Sequence, residues 1–263
     1  MKSSLKTVLT LFLLGLLAAI SGRPARGETT GAPTGEMVQF PAGVAGGKDT
    51  ASGFIAVPVK TGRYPAVVVI HAWWGLNDWV KEQTDKLADQ GFVVLAVDLY
   101  DGHVATDPSE ARELRLGLKD EDAMRDTMAA FYYLATRKDV DRDHIGALGW
   151  DMGGGYALKL AVNQPHLAAC VVNYGALPTD PNDIQQILAP VLGNFGALDR
   201  GVLPSDVQYF EKALKNLNRR VDIKIYDDAG HGFANPANKD SYQPADAADA
   251  WSRTIAFFNK TLK

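Results

Sequence analysis

The residues of this chain best suited to chemistry are a few polar side chains set among glycines. In Ile145-Gly146-Ala147-Leu148-Gly149-Trp150-Asp151-Met152-Gly153-Gly154 an apolar run ends on an aspartate flanked by small residues. This is the pattern of a nucleophile elbow, a strand-to-helix turn so tight that only small neighbours fit and the central side chain is exposed. A carboxylate there, with a reference pKa of about 3.9, is ionised at neutral pH and can attack an electrophile with no base to activate it. Further on, Asp199 follows Gly196-Ala197-Leu198, and His231 lies between Gly230 and Gly232. Singly, each has a plain alternative: Asp151 as a helix cap, Asp199 as a turn residue, His231 as a structural histidine. Together, in the chain order nucleophile, acid, base, Asp151, Asp199 and His231 form one candidate catalytic site. His71, His103, His144 and His166 read as structural, with His71 buried at a strand end. Cys170, within Ala168-Ala169-Cys170-Val171-Val172, reads as core packing.

These groups need a scaffold. Apolar, β-branched runs predict strands at Gly53–Val59, Ala66–Ile70, Phe92–Leu99, His144–Gly149, Ala168–Asn173, Pro190–Phe195 and Val221–Tyr226. Apolar residues at helical spacing predict helices at Asp78–Gln90, Asp120–Arg137, Gly153–Val162, Pro204–Leu217 and Ala245–Leu262. Such alternation implies an α/β fold, a mostly parallel sheet with helices on both faces. In such sheets functional groups collect at the carboxyl ends of the strands, where His71–Gly75, Gly149–Gly154, Gly196–Asp199 and Gly230–Phe233 all fall. No repeat, low-complexity tract or linker divides residues 37–263, which read as one domain.

Composition narrows the function. With 27 basic residues against 31 acidic ones, the chain lacks the positive field of a nucleic-acid binder, so none is expected as a partner. One Cys excludes an internal disulfide and a Cys-based zinc site, and no metal site is read. At the N-terminus, Lys2 and Lys6 precede an apolar run from Val8 to Ile20, too short to span a bilayer, and small residues follow through Ala25-Arg26-Gly27. Residues 1–27 therefore read as a signal peptide and the protein as exported, periplasmic or secreted, with no stable membrane span after its removal; an uncleaved anchor is the alternative. Residues 28–36, rich in Thr, Gly and Pro, read as a flexible lead-in.

The sequence resembles the dienelactone hydrolase family (carboxymethylenebutenolidase-like) of the α/β-hydrolases. The likeness rests on Val69-Ile70-His71-Ala72-Trp73-Trp74-Gly75-Leu76-Asn77, Ala96-Val97-Asp98-Leu99-Tyr100, the Gly149–Gly154 elbow, Pro190–Gly196 leading to Asp199, and Gly230-His231-Gly232-Phe233. It implies an α/β-hydrolase fold and cofactor-free hydrolysis of small lactones or esters through a Cys-His-Asp triad. By position, Asp199 and His231 match the acid and base, and the backbone N–H groups of Met152 and Trp73 match the oxyanion hole. Two positions depart from the pattern: the elbow Cys is Asp151, and the Glu usual after His71 is Ala72. A Glu beside Asp151 would raise one pKa by like-charge repulsion, so the two changes are compatible with each other.

An aspartate at the elbow leaves the reaction open. To expel an ordinary alkoxide, conjugate acid about 15.7, it faces a mismatch of roughly 12 pKa units, on the order of 16 kcal/mol. Acyl transfer therefore calls for an enolate or phenolate leaving group. Attack at a saturated carbon gives instead a stable ester that His231, oriented by Asp199, can hydrolyse, as in haloalkane dehalogenases and epoxide hydrolases. Their His-Gly-x-Pro stretch is replaced here by His71-Ala72-Trp73-Trp74. Asp151 as a general base on water, and a ligand-binding protein without turnover, are the remaining readings. Ala72, Trp74, Trp150, Tyr100, His103 and Tyr174 are read as pocket residues, the tryptophans as apolar walls or N–H donors. After Tyr100 the chain has Asp101-Gly102-His103 and no Arg, so the sequence offers no evident group for an anionic substrate.

Overall fold

The computed structural model describes residues 34–43 and 50–263; the expected signal peptide and nearly all of the expected lead-in lie outside them. In chain order the elements are β1 (Glu36–Pro41), β2 (Thr50–Ala56), β3 (Tyr64–Ile70), α1 (Asp78–Asp89), β4 (Val93–Asp98), α2 (Pro108–Gly117), α3 (Asp120–Thr136), β5 (Val140–Trp150), α4 (Met152–Asn163), β6 (Ala169–Asn173), α5 (Pro181–Gln186), β7 (Val191–Gly196), α6 (Pro204–Asn216), β8 (Val221–Tyr226) and α7 (Pro244–Leu262). The strands form one sheet in the order β1-β2-β4-β3-β5-β6-β7-β8. β2 runs antiparallel to both its neighbours, and every pair from β4 through β3 to β8 is parallel.

The central strands are continuously apolar because both their faces are covered. Val67, Val68 and Val69 of β3 and Val93, Val94 and Leu95 of β4 have no exposed surface. One face packs against α3, α4 and α6 through residues such as Phe131, Tyr156 and Phe210; the other packs against α1 and α7 through Leu87, Phe258 and Leu262. This is the predicted α/β architecture. Among the described residues no helix is long and apolar enough to cross a membrane.

Each predicted element is present, with ends shifted by a few residues. Three elements were not foreseen: β1, α2 and α5. α2 carries a clear start signal, since Asp107 accepts from the amides of Ser109 (2.8 Å) and Glu110 (3.0 Å), and Pro108 opens the first turn. It lacks an apolar stripe, because only Ala111 is buried. A helix that buries so little gives no periodic signal to read.

Candidate active site

β5 ends at Trp150, and the chain reverses into α4 through Asp151, whose φ of 53° and ψ of −119° lie where L-residues are strained. The glycines make this turn possible. A Cβ on Gly149 would overlap the carbonyl oxygen of Gly153, and one on Gly153 would overlap that of Ile70 at the end of β3. With neither present, α4 starts directly against β3. The Asp151 amide is tied to Asn173 O (3.0 Å) on β6, and Gly155 N–H donates to Asp151 O (3.2 Å).

Around this turn the three predicted residues meet. His231 Nε2 lies 2.9 Å from Asp151 Oδ1, and His231 Nδ1 lies 2.8 Å from Asp199 Oδ2. Asp199, fully buried at its side chain, sits after β7; its Oδ1 accepts from the amides of Gly201 (2.7 Å) and Val202 (3.0 Å). Burial alone would raise the Asp199 pKa, but the His231 hydrogen bond, those amides and the imidazole charge hold it below the usual carboxylate range. Burial likewise pulls His231 down, yet the hydrogen bonds and charges of Asp151 and Asp199 outweigh it and push the imidazole up to about 10. At neutral pH the imidazole is therefore held protonated between the two aspartates. His231 is poised as an acid.

The Trp73 amide donates to Asp151 Oδ2 at 3.3 Å. Met152 opens α4, so its amide has no acceptor within the helix. These are the two backbone donors assigned to the oxyanion hole, and Trp73 is directed at the carboxylate's second oxygen.

Asp151 and His231 open onto a cavity of about 930 Å³. Trp73, Trp74, Met152 and Tyr174 line it, with Tyr174 edge-on to the imidazole at 5.3 Å between ring centres. Four expected pocket residues do not line it. Trp150, although adjacent to Asp151, turns into the core and packs edge-on against Trp79 at 4.9 Å, because successive strand residues face opposite sides. Ala72 is packed against the same core layer, while His103 is exposed on the turn after β4. Tyr100 is buried against His71, its hydroxyl 3.4 Å from Met152 Sδ, one residue behind the wall. The sequence reading missed Arg115 of α2 and Lys239, which share the cavity wall with Asp240. Arg115 stands in no motif of its own; only the capped start at Asp107-Pro108 could have flagged its helix.

Of the residues read as structural, His71 and Cys170 occupy such places, while His103, His144 and His166 are exposed. His71 is fully buried, its Nε2 accepting from the Leu99 amide (3.1 Å) and its Nδ1 facing Ala72 O (2.7 Å), while burial lowers its pKa. That pairing fixes a neutral ring protonated at Nδ1. Cys170 is wholly buried in β6 with its thiol pushed up to about 12, unsuited to act as a nucleophile.

Comparison with known proteins gives the family and the fold. The sequence profile of the dienelactone hydrolase family matches residues 51–262. A Bradyrhizobium protein named "Probable 2-oxo-3-(5-oxofuran-2-ylidene)propanoate lactonase" is 33% identical over 217 residues, 78% of this chain and 87% of the relative. Among solved structures, a dienelactone hydrolase-like promiscuous phosphotriesterase from metagenomic libraries superimposes with a TM-score of 0.79 at 26% identity, covering 89% of this chain and 100% of the other. At 16% identity, Pyrococcus horikoshii acylaminoacyl peptidase shares the fold, with a TM-score of 0.70 over 89% of this chain and 43% of that one. The chain belongs to the dienelactone hydrolase family and is a hydrolase with an α/β-hydrolase fold.

Proposed function

We propose that this hydrolase opens a small lactone or ester with an enolate or phenolate leaving group by covalent catalysis at Asp151, without a cofactor. The observation that carries the reading is the unbroken line Asp151–His231–Asp199, at 2.9 and 2.8 Å, with the imidazole held protonated. Asp151 Oδ1 attacks the carbonyl carbon, the ring or ester oxygen departs, and His231 gives that oxygen its Nε2 proton. The imidazolium thereby eases the leaving-group mismatch that an aspartate nucleophile faces alone, since the departing oxygen leaves as a neutral enol or phenol.

The product of this step is an anhydride on Asp151, which carries no charge. The Asp151 contributions that raised the His231 pKa vanish with that charge, so the imidazole, still oriented by Asp199, becomes a base for water. Water attacks the Asp151 carboxyl carbon, the Trp73 and Met152 amides stabilise the oxyanion forming on Oδ2, and the product acid leaves. Proton and oxygen both balance: His231 gives one proton and takes one back, and one water is consumed.

A second electrophile shares the latter half of this scheme. Because the Trp73 amide already addresses Asp151 Oδ2, the hole is aligned for hydrolysis of an ester at Asp151 itself, as attack at a saturated carbon would also require. Arg115 on the wall, only loosely paired with Asp120 at 4.0 Å, and Lys239 beside Asp240 favour a carbonyl substrate bearing a carboxylate over an uncharged alkyl halide. These side chains are a candidate for the anion-recognising group that the sequence after Tyr100 does not offer.

The test is one assay series across pH, with a carboxylate-bearing enol lactone, a neutral aryl acetate and an alkyl halide. The lactone is expected to turn over, with kcat/KM falling as pH rises through about 10 and the imidazolium is lost. Arg115→Ala is expected to raise KM for the charged lactone about tenfold and leave the aryl acetate unchanged. Turnover of the halide alone would transfer the assignment to the saturated-carbon reading, and binding without any product would make the protein a ligand-binding member of the fold.

A further inference from the structure

A second cavity, of about 510 Å³, lies at the opposite end of the sheet, where β7 and β8 begin. Five cations line it: Lys215 on α6, Arg219 and Arg220 just after it, and Arg253 and Lys260 on α7. The lining contains one carboxylate, Asp222. Two of the cations are matched, Lys215 by Glu211 (2.7 Å) and Arg253 by Asp222 (3.0 Å). Among the described residues Arg219, Arg220 and Lys260 have no carboxylate partner.

Arg219 supplies an independent sign. Its Nη2 donates to Gln185 O at 3.3 Å, while its Nε–H is buried with no acceptor. Orphaned buried donors are rare in native folds, and this one marks Arg219 as a guanidinium whose hydrogen bonding the protein leaves incomplete beside the cavity. Three uncompensated cations around one concavity also run against the chain's net charge of −4. Between them the wall is apolar, formed by Val191, Val221 and Phe257.

This combination selects a ligand class. A single carboxylate occupies one guanidinium fork, whereas a phosphomonoester carries three acceptor oxygens and close to two charges, enough to be shared by two arginines and a lysine. The volume falls in the range of small-molecule sites, and the apolar wall suits a hydrocarbon or aromatic stem. We propose that this cavity binds a phosphomonoester on a small apolar or aromatic stem, at a site separate from the catalytic pocket. The proposal stands independently of the reaction assigned to Asp151.

Titration calorimetry of the full chain with phenyl phosphate, inorganic phosphate and a short single-stranded DNA tests it. Phenyl phosphate is expected to bind saturably, more tightly than inorganic phosphate or the DNA, and more weakly as salt is raised. The Arg220→Ala/Lys260→Ala double variant, altered only at exposed side chains, is expected to lose tenfold or more in affinity at unchanged melting temperature, roughly the worth of a charge-assisted contact. Because Arg115 and Lys239 give the catalytic pocket its own cations, Arg115→Ala serves as the site control and is expected to bind as the wild type does. No saturable binding, unchanged binding in the double variant, loss in Arg115→Ala instead, or tighter binding of the DNA would each overturn the assignment.

Discussion

Asp151→Asn is expected to lower kcat/KM for the enol lactone by about 10³-fold or more, the scale seen when a nucleophile is removed from a site that otherwise keeps its binding and oxyanion groups. The substitution preserves shape and leaves the oxygen that the Trp73 amide addresses, so binding should survive while attack does not. It also removes a charge from the His231 line, and the imidazole pKa should fall from about 10, a change readable by NMR titration. Asp151→Cys separates scaffold from nucleophile. A thiol at this elbow, 80 positions before a histidine still oriented by Asp199, is expected to support acyl transfer to the same lactone. Turnover within tenfold of wild type in Asp151→Asn would remove Asp151 as the nucleophile.

Gly149→Ala is expected to cost about 3 kcal/mol or more of stability, because the added Cβ would meet the backbone of Gly153, which cannot move aside as a side-chain tip can. Its effect on activity should be larger still, since any relief shifts the turn that carries Asp151. Gly155→Ala is the control. There the nearest atom to a new Cβ is the Ala176 Cβ at 3.5 Å, an ordinary contact, and α4 gains helix propensity at that position. Urea unfolding should show the Gly149 variant with a lower midpoint and the Gly155 variant unchanged or slightly stabilised. Equal midpoints for the two would mean that the elbow backbone is free to relax, contrary to the packing of α4 against β3.

The sequence carried the scaffold well where an element's signal is its own. Continuous valine runs announced β3 and β4, and glycine spacing announced the elbow, because close backbone approach admits no other residue. It failed where position depends on the tertiary fold. Trp150 was placed in the pocket on adjacency to Asp151, but the pleat of β5 sends it to Trp79 on the far side. Arg115 reaches the cavity from a helix that buries only Ala111, so no apolar period marked the element that delivers it. The proton arrangement was equally out of reach. That His231 rests as an imidazolium follows from two carboxylates within 3 Å of its ring nitrogens, a fact of geometry that no spacing in the chain encodes. It adds to the chemistry, since His231, read from the sequence as the base that activates water on the Asp151 ester, is also an acid while Asp151 keeps its charge.

The central claim, a covalent ester or anhydride at Asp151 that water opens at the aspartate's own carboxyl carbon, is tested most directly by oxygen tracing. The enzyme is turned over with the enol lactone in water enriched in ¹⁸O, digested, and the peptide containing Asp151 is weighed by mass spectrometry. Incorporation of ¹⁸O into the Asp151 carboxylate is the expected result. Label confined to the product acid, with Asp151 unlabelled after many turnovers, would contradict the account and place the attacking water on the substrate itself.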